Sequence, residues 1–404
     1  LRSLDLPEGG AVQNCRKFFC GTADRLPYYT LRMHQEGQPS GRLNSRKEAI
    51  GFSSLIRSLL TCTALLTLTT TGKTISEKEL PERRAAETIP FSHFLDSGER
   101  FTFQSADGIN RLCGVSFLLP PSRSKGVILI VNGRSESWLK YGELMSDLCK
   151  QGYSVVTYDH RGQGLSPRLI KGNPQVGYVD DFALYAADLD ECIHQIILPL
   201  RREYRQIFLI AHSMGAAVAA SQMENHPPHF QAAAFIAPMF EINTSPYPRG
   251  IAHAFVGALQ MMGLGSRYAP GEHDFDPKAD FANNKITSSR MRWEIMYRGK
   301  ILHPESMMGG ASISWVNASL SSTPKIQKAL GKIRTPTLIL QAGHEQLVRN
   351  EASKEAASKI PDCSLISFPA SKHEILMESD PIREEALQAI ERFFTAHTGY
   401  VPTD

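Results

Sequence analysis

Ser213 stands in Ala211-His212-Ser213-Met214-Gly215, between the apolar run Ile207-Phe208-Leu209-Ile210 and the small-residue run Ala216-Ala217-Val218-Ala219-Ala220. A serine hydroxyl becomes a useful nucleophile when it is exposed, rigidly held and joined to a base. The flanking pattern predicts a strand, a sharp turn and a helix, with the hydroxyl at the tip of the turn. Ala211 and Gly215 are small enough for the backbone to turn that tightly. The N-terminus of the following helix would aim backbone N–H groups at developing negative charge. The competing reading is a small-residue turn that carries a surface serine, so the downstream partners decide.

A nucleophilic serine needs a histidine base and a carboxylate to orient it, here in the chain order serine, acid, histidine. The strand-like Thr337-Leu338-Ile339-Leu340-Gln341 runs into Ala342-Gly343-His344-Glu345-Gln346-Leu347-Val348. The strand-like Ser364-Leu365-Ile366-Ser367-Phe368 runs into Pro369-Ala370-Ser371-Lys372-His373-Glu374-Ile375. Glu345 and His373 therefore occupy the acid and base places. Among 13 histidines, His212 is expected to point away from Ser213 and line the turn, and His344 to serve loop packing. Asp159, Glu374 and Asp362 are the rival acids. Asp159 is expected to tie down the glycine-rich loop Asp159-His160-Arg161-Gly162-Gln163-Gly164-Leu165-Ser166, and Glu374 to face elsewhere.

An oxyanion hole needs two backbone donors. Met214 N–H follows the nucleophile directly. The second is expected from Asn132-Gly133-Arg134-Ser135-Glu136-Ser137, after the apolar run Gly126–Val131. Gly133 lets a ligand approach the backbone, and Arg134 N–H is the expected donor. Taken alone, this segment reads more simply as an ordinary strand-to-helix turn.

With these segments in place the chain resembles the monoacylglycerol lipase/lysophospholipase group of α/β-hydrolases, nearest to its bacterial lysophospholipase branch. The resemblance spans roughly residues 88–398. It rests on Val131-Asn132-Gly133-Arg134-Ser135-Glu136-Ser137 with Tyr141, on Tyr158 to Ser166, and on the serine motif. Ala237-Pro238-Met239-Phe240, Gln341 to Glu345 and His373-Glu374-Ile375-Leu376 complete it. It implies Ser213 as nucleophile, Glu345 as acid and His373 as base. Asn132 stands where a His-Gly pair is common in that group, Ala211 where glycine is common, and Glu345 where aspartate is common. The longer Glu345 side chain requires a differently set loop.

The elements that must position these residues follow an alternating pattern. Phe101–Ser105 and Leu112–Leu118 flank Asp107-Gly108 and predict a hairpin. Then come a strand at 126–131, a helix near 138–151, a strand at 153–158, a long helix near 178–198, the serine strand and helix, and a strand at 232–236. This rhythm predicts a mainly parallel sheet with helices on both faces, and the resemblance implies that it is an α/β-hydrolase fold. It breaks from 241 to 330, a stretch rich in Pro, Gly, Met and aromatics, read as an inserted cap with its own small core. The expected organisation is a leading segment and linker over 1–85, a core over 86–240, the cap over 241–330, and the rest of the core over 331–404.

The 404 residues carry a formal net charge of +3 and no basic tract interleaved with aromatics, which argues against nucleic acid as a partner. The 7 cysteines are scattered and odd in number, against a disulfide framework. Cys15 and Cys20 lack a second ligand pair for zinc, and no metal or organic cofactor is expected. The chain starts at Leu1 and its first methionine is Met33, so residues 1–32 are read as an upstream extension absent from the native product. Around 42–72 a basic stretch precedes an uncharged, leucine- and threonine-rich run. It reads as an export or tether segment or as a plain tail, so the expected location is cytoplasmic or membrane-associated.

The expected activity is hydrolysis of a lipid carboxylic ester, a lysophospholipid or monoacylglycerol, with peripheral membrane contact. The alternatives are a general carboxylesterase or small-peptide hydrolase, and a non-catalytic membrane-surface protein on the same fold. Haloalkane dehalogenase and epoxide hydrolase chemistry needs a carboxylate where Ser213 stands.

Overall fold

The structure is a computed structural model and describes residues 91–399. The expected 42–72 segment, the start at Met33, and Cys15, Cys20 and Cys62 lie outside the described residues.

Eight strands form one sheet in the order β1-β2-β4-β3-β5-β6-β7-β8. They are β1 (Glu99–Gln104), β2 (Arg111–Phe117), β3 (Val127–Val131), β4 (Ser154–Tyr158), β5 (Ile207–His212), β6 (Ala232–Ile236), β7 (Thr337–Ala342) and β8 (Cys363–Phe368). β1 and β2 are the expected hairpin, and β2 pairs antiparallel with β4; every other pairing is parallel. The hairpin turn is held by Asp107, whose Oδ1 accepts from Ser105 Oγ at 2.6 Å and Ile109 N–H at 3.0 Å.

The central strands β3 to β7 are buried at every position because both sheet faces are covered. Successive side chains point to opposite faces. Val127, Leu129 and Val131 therefore join one buried cluster, while Ile128 and Ile130 join the other. After a short α1 (Ser92–Ser97), helices α2 (Gly142–Lys150) and α9 (Asp380–Ala396) cover the second face; α3 (Ala183–Cys192), α4 (Met214–Asn225) and α8 (Asn350–Lys359) cover the first. In α4, Ala216, Ala217, Ala219 and Ala220 are fully buried, which brings this helix close to the sheet.

The long helix begins later than the 178–198 pattern predicts. Asp181 Oδ1 accepts Ala183 N–H at 2.9 Å, so the acidic pair at 180–181 closes a turn ahead of α3. Beyond Cys192 the helix continues through a wide π turn, Ile193–Ile197, and one α turn at Leu198–Leu200.

Between β6 and β7 the chain adds α5 (Arg249–Met261), α6 (Arg290–Leu302) and α7 (Ile313–Ala329). Its separate apolar cluster is small: Val256, Ala269, Ile313 and Leu320. Trp315, Ala318 and Ile326 of α7 join the main core instead. The methionines and aromatics of this stretch mostly do something other than fill a core. Met261 and Met262 are exposed, as is Phe255, while Phe275, Trp293 and Tyr297 line a cavity. Arg292 fastens α6 to the core: its guanidinium meets both oxygens of Glu143 at 2.9 and 2.8 Å, and Asp380 at 2.7 Å.

Candidate active site

β5 lies in the middle of the parallel strands, between β3 and β6. Its C-terminal end meets the ends of β3, β7 and β8, the edge where a sheet of this kind places ligands. Ser213 caps α4 with φ 51° and ψ −115°. A non-glycine residue there costs on the order of 1–3 kcal/mol, so its surroundings must hold it. Ser213 N–H donates to Ile236 O at 2.9 Å, and Ser213 O accepts from Met239 N–H at 3.0 Å. Gly215 is required by contact: a Cβ there would lie 2.3 Å from Val131 O and 2.4 Å from Asn132 O. Ala211 sits fully buried in β5, opposite Val131 and Phe235.

The three residues read from the sequence converge. His373 Nε2 lies 2.9 Å from Ser213 Oγ, and His373 Nδ1 lies 2.7 Å from Glu345 Oε2. Glu345 Oε1 accepts the N–H groups of Gln346, Leu347 and Val348 at 2.9, 2.8 and 3.3 Å. Those donors come from its own loop, which is how the longer acid is seated. Burial alone would raise the Glu345 carboxyl, but His373 and the loop N–H groups hold it below the ordinary carboxylate range.

Met214 opens α4, so its N–H lies outside the helix's own ladder. In the β3 loop, Gly133 N–H donates to Glu136 at 2.7 Å and Ser135 N–H donates to Gln163 at 3.3 Å. Arg134 N–H lies between them. Asn132, buried at the tip of β3, donates to Tyr158 O and to Asp159 Oδ1 at 3.2 and 3.0 Å. Asp159 also accepts from Trp138 N–H, Ser137 Oγ and Leu165 N–H, at 2.7, 2.9 and 2.7 Å. It therefore ties the two loops together, and Gly164 (φ 58°) leaves room for its carboxylate.

The other candidates are placed elsewhere. His344 is exposed rather than packed in its loop, and Asp362 is exposed. His212 turns away from Ser213, with Nδ1 3.1 Å from Glu136. Glu374 bonds Lys140 Nζ at 2.6 and 2.7 Å.

Beside the triad lies a buried charged cluster that the sequence reading did not assemble. Lys140 Nζ also meets Glu136 Oε1 at 2.7 Å, and Tyr141 OH donates to Glu136 Oε2 at 2.6 Å. The i,i+4 spacing of Glu136 and Lys140 was the one legible signal. Burial penalises every charge here. Lys140 and His212 nevertheless hold Glu136 well below the carboxylate range, and Glu136 with Glu374 raises Lys140. Glu136, His212 and Glu374 bring ligand-type atoms within 4.8 Å of one another, but the Lys140 ammonium already bonds both carboxylates and supplies the cation.

Ser213 and His373 open on a cavity of about 540 Å³. Its walls include Met239, Ile242, Phe275, Trp293, Tyr297 and Leu347. Trp293 and Tyr297 stack at 4.7 Å, and Phe275 lies 4.8 Å from Tyr297.

The profile of the hydrolase family described as serine aminopeptidase, S33, matches residues 122–380. The chain belongs to that family. This hydrolase is 30% identical over 315 residues to the probable lysophospholipase L2 of Haemophilus influenzae, covering 78% of this chain and 96% of that one. It is 34% identical over 279 residues to lysophospholipase L2 of Escherichia coli K12, covering 67% and 81%. A soluble variant of the Saccharomyces cerevisiae monoglyceride lipase, solved with a substrate analog, superposes with a TM-score of 0.60 at 17% identity. That match covers 78% of this chain and 100% of the yeast chain, and it shows the shared fold. The hydrolase is an α/β-hydrolase of the monoacylglycerol lipase/lysophospholipase group and an ester hydrolase.

Proposed function

We propose that this hydrolase cleaves the carboxylic ester of a single-chain lipid, a lysophospholipid or a monoacylglycerol, through an acyl-enzyme on Ser213. The observation that carries the reading is the continuous hydrogen-bonded line Glu345–His373–Ser213, at 2.7 and 2.9 Å, opening directly on an aromatic-walled cavity. A cavity of that volume accepts a flexible hydrocarbon chain. The bacterial relatives named lysophospholipases support the same substrate class.

In this mechanism Glu345 keeps the proton of His373 on Nδ1, which leaves Nε2 free to accept from Ser213 Oγ. Oγ attacks the ester carbonyl, and the N–H groups of Met214 and Arg134 receive the oxyanion. Protonated His373 gives its proton to the departing alcohol, then takes one from water for deacylation. The strained backbone at Ser213 holds Oγ on the cavity side of β5 throughout.

The 241–330 stretch acts as the cap over this cavity. Ile251, Phe255, Met261 and Met262 expose an apolar face on and just beyond α5, which carries no acidic residue. That face suits peripheral contact with a lipid surface. Among the described residues no helix is long and apolar enough to cross a membrane.

The family description names an aminopeptidase, which must bind a substrate ammonium. The carboxylates lining the cavity are already paired: Glu136 and Glu374 with Lys140, and Glu272 with Arg134. That balance favours the ester over the peptide.

The test is fluorophosphonate labelling followed by fatty-acid release from a panel of lysophospholipids, monoacylglycerols and short p-nitrophenyl esters. The wild-type protein should label once and release fatty acid from single-chain lipids, and Ser213→Ala should do neither. Labelling that persists in Ser213→Ala, or hydrolysis confined to aminoacyl substrates, overturns the proposal.

A further inference from the structure

Lys300 lies in the last turn of α6 and lines the same cavity as Ser213 and His373. Among the described residues its ammonium has no carboxylate within ion-pairing distance; Nζ lies over the face of Phe275, 5.4 Å from the ring centroid. The carboxylates it feels, Glu136 and Glu374, are committed to Lys140. Arg134 adds a second cation to the cavity wall. It is held loosely, 3.8 Å from Glu272 and over the Trp315 ring at 5.1 Å.

A lysine so placed is costly. Burial pushes the Lys300 ammonium down to about 8; Glu136 and Glu374 pull the other way, and Lys140 and Arg134 add to the depression. The α6 C-terminus tolerates a positive charge, yet that tolerance does not account for a lysine that lines a substrate cavity with every neighbouring carboxylate bonded elsewhere. A ligand that brings its own negative charge would remove the penalty, and would do so inside an apolar enclosure where one ion pair is strong.

We infer that Lys300, assisted by the Arg134 side chain, forms a phosphate subsite for the glycerophosphate head of a lysophospholipid, separating such substrates from neutral monoacylglycerols. The inference rests on the proposed lipid-ester reading and narrows it. In a lysophospholipid the phosphate is joined to the scissile ester through the glycerol carbons, so ester and phosphate enter one cavity together. The ester carbonyl faces Ser213, the acyl chain takes the apolar wall at Met239, Ile242 and Leu347, and the phosphate reaches Lys300 near the C-terminal end of α6.

Two measurements on the full-length protein test this. The first is the ratio of kcat/KM for 1-oleoyl-lysophosphatidylglycerol to that for 1-oleoylglycerol. It should fall at least tenfold in Lys300→Met and stay within about threefold of wild type in Lys300→Arg, as one charged pair worth 1.4 kcal/mol or more requires. The second is inhibition of p-nitrophenyl butyrate hydrolysis by sn-glycerol 3-phosphate. It should exceed inhibition by inorganic phosphate or glycerol and weaken at least tenfold in Lys300→Met.

A ratio and an inhibition constant that Lys300→Met leaves unmoved overturn the subsite. So does equal inhibition by inorganic phosphate and glycerol 3-phosphate, which would mark a free-phosphate site instead. If the wild-type protein hydrolyses no p-nitrophenyl ester, the serine-hydrolase reading fails. If it hydrolyses that ester but ignores the phosphate, only the subsite fails. Lys300→Gln, neutral and polar, repeats both measurements should the methionine variant not fold.

Discussion

Glu345→Gln isolates the work of the acid, because the structure dictates how the amide must sit. In the native site Oε1 takes three loop N–H groups and Oε2 takes His373 Nδ1. A glutamine has one acceptor end and one donor end. The three N–H groups claim the oxygen, which turns the NH2 group onto Nδ1. The imidazole proton then moves to Nε2, which donates toward Ser213 Oγ and can no longer accept its proton. The second loss is charge. A carboxylate about 4 Å from an imidazolium is worth about 4 kcal/mol at an effective dielectric of about 20. The wrong tautomer in other serine triads costs about 10⁴ in rate. The expected fall in kcat/KM on p-nitrophenyl butyrate is therefore about 10³–10⁴, or about 4–5.5 kcal/mol. Glu345→Asp keeps the charge and withdraws it by one methylene, and should cost about 10²-fold through misplacement. Thermal unfolding recorded in parallel separates chemistry from folding. If Glu345→Gln stays within tenfold of wild type while folded, the reasoning is refuted and another carboxylate orients His373.

Gly215→Ala should destabilise the protein by about 1–3 kcal/mol and lower activity, since the new methyl meets two backbone oxygens of β3 that cannot rotate away; an unchanged melting temperature would contradict the contact argument. Arg292→Met takes two hydrogen bonds from the buried Glu143 carboxylate and leaves it Arg383 at 3.6 Å, so it should cost up to about 3 kcal/mol. Arg292→Met with Glu143→Leu should be milder, and equal losses in chemical denaturation would show that the pair does not act as a unit. Replacing Ile251 and Phe255 together with serine should weaken co-sedimentation with phospholipid vesicles at least severalfold while p-nitrophenyl butyrate turnover persists; unaltered sedimentation would remove α5 as the contact face.

The triad was legible because its signals are local. Ser213 and Glu345 follow the buried strands β5 and β7, His373 follows the largely unburied edge strand β8, and the chain order matches the order of the strands. The hairpin was legible for the same reason: Asp107-Gly108 suits a tight turn between alternating strands. The long helix was misjudged at its start because Asp181 accepts Ala183 N–H and holds a turn just ahead of the first helical residue. The role of the 241–330 methionines and aromatics was misjudged because composition does not say which way a side chain faces. Phe255 and Met262 face outward, and Trp293 faces the cavity.

Residue types and their periodicity determined the parallel sheet, the elbow at Ser213 and the places of Glu345 and His373 beyond the ends of β7 and β8. These depend on contacts between near neighbours and on the alternation of strand faces. Only the tertiary structure decided that Lys140 of the β3–α2 segment would neutralise Glu374 from beyond β8, and that Lys300 of α6 would line the cavity with no carboxylate of the described residues within ion-pairing distance. The pairing of Lys140 with Glu374, 234 positions apart, is set by how the segments after β3 and β8 meet at the sheet edge, and no local pattern in the chain encodes it.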